Sequence, residues 1–231
     1  MGARAFSHSG LGAGVRRAGW IERLPMAEEI SIAVPEEERQ KALDRLAAAG
    51  VRKNGMRIAF AAGAAYGSAK CWEPERYAAL ADRLIGAYDA DVVLFGAPQE
   101  SGMAARILSA MRHRAFNLVG ASKIGELPGL LSSCRLFIGN DSGAMHVAGA
   151  VGVPVIAIFG PTDPQGTRPL TPQLTLIRET VDCSPCFLRK CPIDHRCMTR
   201  ISVDRVYEAA RILLESGERV KSRSIWSQGL A

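Results

Sequence analysis

The chain has 231 residues, 48% of them hydrophobic and 23% charged, with a formal net charge of +6 at pH 7. This is the composition of a soluble globular protein long enough for one large or two small domains with a sizeable core. No apolar run approaches the roughly 20 residues of a membrane-spanning helix, the N-terminal MGARAFSHSGLGAGVRRAGW lacks the apolar core of a secretory signal, and Phe6 stands where lipidation at Gly2 would need Ser or Thr. A cytoplasmic, non-transmembrane protein is the expectation. The positive excess is local: Cys183 to Arg223 holds nine Lys or Arg against five Asp or Glu. Without a dense basic run interleaved with aromatics there is no case for nucleic-acid binding, and the charge points to an anionic nucleotide or a membrane surface carrying phosphorylated lipids.

Residues 1–34 are rich in Gly, Ala and Arg and read as an irregular leader, with a strand near Ile30 to Val34. Pro35 and the acids Glu36, Glu37 and Glu38 open a helix whose stripe of Ala42, Leu43, Leu46 and Ala47 ends at Gly50. Its polar surface predicts a linking or covering helix. Met56 to Ala62 reads as a strand and Pro74 to Tyr88 as a helix with Tyr77, Leu80, Ala81, Leu84 and Ile85 on one face. A strand over Asp91 to Phe95, a helix over Glu100 to Arg112, a strand over Ala115 to Val119 and a helix over Ile124 to Ser133 follow. The apolar runs Leu136 to Gly139 and Val153 to Phe159 are strands enclosing a turn and a helix; Leu174 to Ile177 adds a last strand and Val203 to Glu215 a closing amphipathic helix. Strands alternating with helices predict an α/β fold, a parallel sheet with helices on both faces, and ligands bind such sheets beyond the carboxyl ends of the strands.

Three strand ends carry candidate chemistry. After the first strand comes Gly63-Ala64-Ala65-Tyr66-Gly67-Ser68-Ala69-Lys70-Cys71-Trp72, where glycine admits a ligand to the backbone and Lys70 can neutralise a phosphate. Its spacing is neither that of a Walker A loop nor of a dinucleotide fingerprint, and a lone lysine is also ordinary surface. After the second strand comes Gly96-Ala97-Pro98-Gln99-Glu100, where the carboxylate either accepts hydrogen bonds from a ribose or caps a helix. The third is Asn140-Asp141-Ser142-Gly143-Ala144-Met145-His146. A helix start exposes backbone N–H groups suited to a phosphate; the rival reading is that Asp141 and Ser142 only cap the helix.

Cys183, Cys186, Cys191, His195 and Cys197 then fall within fifteen residues. Thiolates and imidazole at such spacing suit zinc, although Cys-x5-Cys is not a standard half-site. Two disulfides, disfavoured in a reducing cytoplasm, and a compact loop with free thiols are the alternatives. Cys71 and Cys134 lie apart from the cluster.

Together, Asn140 to His146 with Ala148, Gly152-Val153-Pro154 and Phe159-Gly160-Pro161-Thr162-Asp163-Pro164, the Ala64 to Trp72 loop, and the Cys183 to Cys197 segment with Phe187 and Met198 resemble the bacterial lipopolysaccharide heptosyltransferases of glycosyltransferase family 9. The last segment is particularly like that of the heptosyltransferase II type, and the resemblance covers about residues 56–215. It implies the C-terminal, Rossmann-like domain of a GT-B glycosyltransferase over residues 35–221, preceded by a leader or acceptor-domain remnant over 1–34 and followed by a tail over 222–231. It further implies inverting transfer of heptose from ADP-heptose to the lipid A-core acceptor at the inner membrane surface, with no cofactor or metal and a peripheral membrane position. Lys70 would meet the donor phosphates, with Ala65 and Tyr66 beside them; Glu100 would meet the ribose; and Asp141, Ser142, Gly143 and His146 the pyrophosphate and sugar, with Met145 as packing. Two departures stand out: Ala62 replaces a proline, and Cys71 replaces an arginine. The family's catalytic base, an aspartate in an acceptor domain of about 150 residues or more, has no match here, so the resemblance implies a donor-binding half. A truncated non-catalytic nucleotide-binding module, a Cys-rich interaction module, and a GT-B transferase for another nucleotide-sugar are the alternatives.

Overall fold

A computed structural model describes residues 29–216; most of the leader expected over 1–34, the last residues of the domain expected over 35–221 and the whole tail over 222–231 lie outside the described residues. The elements are α1 (Glu36–Ala48), β1 (Arg57–Ala61), α2 (Pro74–Tyr88), β2 (Asp91–Leu94), α3 (Ser101–Ala110), β3 (Phe116–Asn117), α4 (Leu127–Ser132), β4 (Leu136–Asn140), α5 (Gly143–Ala150), β5 (Val155–Phe159), α6 (Pro164–Thr167), β6 (Leu174–Arg178), α7 (Arg196–Thr199) and α8 (Val203–Glu215). Six parallel strands run in the order β3-β2-β1-β4-β5-β6. This is the Rossmann order, whose direction of winding reverses between β1 and β4.

The strands are apolar over most of their length because both faces are covered, with polar residues mainly at their ends. Alternate residues divide between two cores. Ile58, Phe60, Ile138, Ile156 and Ile158 pack with Tyr77, Leu80 and Leu84 of α2 and Val206 and Ala210 of α8. Ala59, Phe137, Val155 and Phe159 pack on the other face with Leu46 of α1, Leu130 of α4 and Ala148 of α5. The register pairs Ile58 with both Val92 and Leu136, and Ile156 with Thr175.

The helices α2 and α8 have the bounds that periodicity predicts. Pro74 opens α2 and Asp89, at φ 48°, closes it in the left-handed conformation; the Ser202 side chain accepts a bond from the Arg205 N–H at the start of α8. Elsewhere the structure corrects the reading. Ile30 to Val34 forms no strand: its Ile30 and Ile32 N–H groups donate to the Leu170 and Ala150 carbonyls. The helix expected over Ile124 to Ser133 is a 3-10 turn, Ile124–Glu126, followed by α4. A further 3-10 turn, Pro98–Glu100, precedes α3, which ends at Ala110 as Met111 becomes extended. The third strand shrinks to two residues because the Asn117 side chain takes the Val119 N–H and turns the chain. Among the described residues no helix is long and apolar enough to cross a membrane.

Candidate functional site

The carboxyl ends of β1, β2 and β4 converge where the winding reverses, and a cleft of about 790 Å³ opens there. Ala65, Tyr66, Lys70, Glu100, Asp141, Ser142, Gly143 and His146 all line it. Met145 is buried, in packing.

Ser142 occupies the cap position of α5 but makes no capping bond; its Oγ is buried without a partner. Asp141 does not cap the helix either. Its Oδ2 lies 2.6 Å from Lys70 Nζ and accepts from Thr162 Oγ1 at 2.7 Å and Thr167 Oγ1 at 3.4 Å. The first turn of α5 therefore faces the cleft with no side chain over its N–H groups, and an aligned peptide dipole behind them. A reading of the turn as cap alone does not fit this arrangement.

Lys70 is not plain surface: its side chain is 11% exposed and that of Asp141 5%. The Lys70 loop is anchored by a residue that the sequence reading placed in the motif without assigning a role. Asn140, fully buried at the end of β4, accepts from Trp72 N–H at 3.2 Å and Tyr77 OH at 3.0 Å and donates to the Ala62 carbonyl at 2.5 Å. A buried amide that satisfies three partners fixes both ends of the loop. An asparagine closing an apolar strand was its available signal.

Of the two readings of Glu100, the capping one is seen directly. Its Oε2 accepts from the Ala97 N–H at 2.9 Å, closing the 3-10 turn, while the carboxylate lines the cleft. The seat depends on missing side chains: a Cβ at Gly63 would lie 2.1 Å from Glu100 Cδ, and one at Gly96 2.3 Å from Oε2. Beside it Phe95, Pro98, Ile124 and Leu127 form an apolar wall with Ser122 and Lys123 on the loop after β3. The sequence reading missed this loop, although it obeys the same carboxyl-end rule.

The electrostatics at the α5 end are nearly balanced. Burial holds the His146 imidazole below its ordinary value, with Lys70 pushing the same way against Asp141 and the Thr167 carbonyl, so it is neutral at pH 7. Burial, with Glu100 nearby, pushes the Cys71 thiol up to about 11; it adds no charge beside Lys70.

Among the described residues no three His, Cys, Asp or Glu side chains, those of the Cys183 to Cys197 segment included, are grouped to hold an ion. All six cysteines are free thiols in the structure. The segment is instead a compact brace. His195 Nε2 sits 2.7 Å from the Ala69 carbonyl, the Arg189 carbonyl accepts the Ala69 N–H at 3.0 Å, and Tyr66 OH donates to the Phe187 carbonyl at 2.6 Å. The Cys186 and Phe187 N–H groups both donate to the Pro161 carbonyl. A Cβ at Gly67 would strike the Arg189 carbonyl oxygen at 2.3 Å, so glycine is what lets the two loops touch.

A family model described as glycosyltransferase family 9 (heptosyltransferase) matches residues 22–196. Lipooligosaccharide heptosyltransferase 2 of Haemophilus influenzae is 41% identical over 125 residues, 52% of this chain and 36% of that protein. Its namesake in Campylobacter jejuni is 32% identical over 173 residues, 72% of this chain and 54% of that protein. The solved structure of the Escherichia coli ADP-heptose lipopolysaccharide heptosyltransferase II superposes with a TM-score of 0.69 at 30% identity, covering 80% of this chain and 53% of that one. The chain spans about half, or less, of the length of these relatives.

Proposed function

The chain belongs to glycosyltransferase family 9, and on that premise we propose that it binds ADP-heptose and carries the donor half of heptosyl transfer to the inner core of lipopolysaccharide. The observation that carries this reading is the Lys70–Asp141 pair set against the uncapped start of α5 at the reversal of the sheet. A diphosphate at that point takes the helix N–H groups and the Lys70 ammonium. The adenosine then lies along the wall of Pro98, Ile124 and Leu127, with Glu100 as hydrogen-bond acceptor for the ribose. Ala65 and Tyr66 flank the phosphates, and Asp141, Ser142, Gly143 and His146 surround the pyrophosphate and the sugar. Residues 35–221 constitute this nucleotide-sugar domain, one of the two Rossmann-like domains of the GT-B architecture, between a leader over 1–34 and a tail over 222–231.

In inverting transfer an acceptor hydroxyl oxygen bonds to the anomeric carbon as the bond from that carbon to the β-phosphate oxygen breaks; the hydroxyl proton passes to a carboxylate base and the electron pair leaves with ADP. The described residues serve the leaving group: Lys70, the α5 N–H groups and His146 meet charge that grows on the β-phosphate. The base and the acceptor site belong, on this reading, to the part of the relatives that this chain does not match. The acceptor is the lipid A-core saccharide, met at the inner membrane surface by a peripheral cytoplasmic protein.

Isothermal titration of the full chain with ADP, with UDP and adenosine as comparisons, tests the proposal. ADP binding tighter than either is expected; no heat with ADP at millimolar ligand, the protein being folded, sinks it. Heptose transfer from ADP-heptose, assayed with and without a separately supplied acceptor domain, tests the division of labour.

A further inference from the structure

The phosphate end of the cleft is short of positive charge. Asp141, 2.6 Å away, matches the Lys70 ammonium, and the imidazole of His146 is neutral at pH 7. A nucleoside diphosphate brings several negative charges, more than a balanced ion pair and a helix start offset. Lys123 lines the cleft on the β3 side, away from this pair.

The brace brings one more cation beside Tyr66, which lines the cleft; Arg189 itself is not among the lining residues. Arg189 Cζ lies 5.2 Å from the centroid of the Tyr66 ring, and Lys70 Nζ lies 4.8 Å from the same centroid. Both cations thus lie against the same ring, no further apart than those distances combined. The backbone of Arg189 is fixed, its carbonyl holding the Ala69 N–H and its Cα against Gly67, and Tyr66 is fixed in turn by its bond to the Phe187 carbonyl. The Arg189 side chain itself is exposed, and among the described residues it has no carboxylate partner. A guanidinium lying over an aromatic face is partly pre-organised and presents a fork suited to phosphate oxygens.

We propose that Arg189 is a second phosphate-binding cation of the donor cleft, delivered from the Cys-rich segment, which orders its backbone against the Lys70 loop. The proposal rests on the reading of the cleft as a nucleoside-diphosphate site. It gives the Cys183 to Cys197 segment a role: the loop sets a charge that the strand ends themselves do not supply.

The test titrates wild-type protein, Arg189→Gln and Arg189→Lys with ADP, AMP and adenosine, in EDTA and again in magnesium. Arg189→Gln is expected to weaken ADP about tenfold or more, the scale of a hydrogen bond to a charged group, and to leave adenosine and the thermal transition unchanged. Arg189→Lys, which keeps the charge and loses the fork, falls between. Unchanged ADP affinity in Arg189→Gln overturns the inference, as does an equal loss for adenosine, which marks a structural role. ADP binding that needs magnesium and ignores Arg189→Gln also overturns it, assigning the missing charge to a divalent ion. If the wild type binds no ADP, the reading of the cleft falls with it; if the wild type binds and Arg189→Gln matches it, only the role of Arg189 falls.

Discussion

Replacing Asp141 by Asn separates the two things the carboxylate does. In the folded chain it holds Lys70 at 2.6 Å and accepts from Thr162 and Thr167, with both members of the ion pair almost wholly covered. Removing one partner of a buried pair costs about 3–5 kcal/mol, because the remaining charge stays desolvated. Lys70 still reaches the cleft and its water, and asparagine keeps an acceptor for one threonine, so about 3 kcal/mol is the expected loss. For a chain of this size that lowers the midpoint of thermal unfolding by about 6–12 °C. Ligand binding should move the other way. With the counter-charge gone, Lys70 is free for phosphate, and ADP should bind about tenfold more tightly, or about 1.4 kcal/mol. Scanning fluorimetry with and without ADP, followed by titration calorimetry at two salt concentrations, reads both effects. An Asp141→Asn protein that unfolds earlier yet binds ADP equally or less well would refute the reasoning, since the phosphates would then not lie at this pair.

Three other outcomes follow from the same geometry. Asn140→Ala strands the Trp72 N–H, the Tyr77 hydroxyl and the Ala62 carbonyl in the core; at about 1–3 kcal/mol for each unsatisfied group, urea denaturation should show a loss of at least about 3 kcal/mol. His146 is depressed below 6.5 in the fold, so the unfolded chain binds its proton first on acidification. Its contribution to stability is full above pH 6.5 and falls away as the pH drops through the lower folded value; His146→Asn should flatten that part of the stability–pH curve, and an unchanged slope would assign it to other groups. Burial pushes the Cys134 thiol up to about 12, and burial followed by the neighbouring Cys183, Cys186 and Cys191 pushes Cys197 up to about 11. Pulse alkylation near pH 8 with mass spectrometry should therefore modify the exposed Cys183 first and reach Cys134 and Cys197 only on unfolding.

Much of the fold is legible in short windows. Apolar runs of four to five residues, helices opened by Pro35 and Pro74, and the amphipathic stripe of Val203 to Glu215 depend on neighbours within one or two turns. The windows mislead where a side chain diverts the backbone, as Asn117 does at the end of β3, and where the bonds of an apolar stretch go to scattered carbonyls rather than to a neighbouring strand, as those of Ile30 and Ile32 go to Leu170 and Ala150. The candidate residues were legible as well, because turn chemistry at strand ends is local and the motifs occur in order along the chain.

What those residues do to one another was not legible. The sequence alone places Lys70 on one loop and Asp141 on another, seventy-one positions later; only the strand order, with β4 seated beside β1, makes them a buried ion pair rather than surface lysine and helix cap. The same order lets Gly63 and Gly96 open a seat for Glu100, and lets a Cys-rich stretch that spells zinc or disulfide by composition fold as a brace on the Tyr66 loop. Spacing fixes which groups lie within one turn of each other, whereas charge balance and burial are set by contacts between distant segments. Those exist only once the sheet has chosen its neighbours.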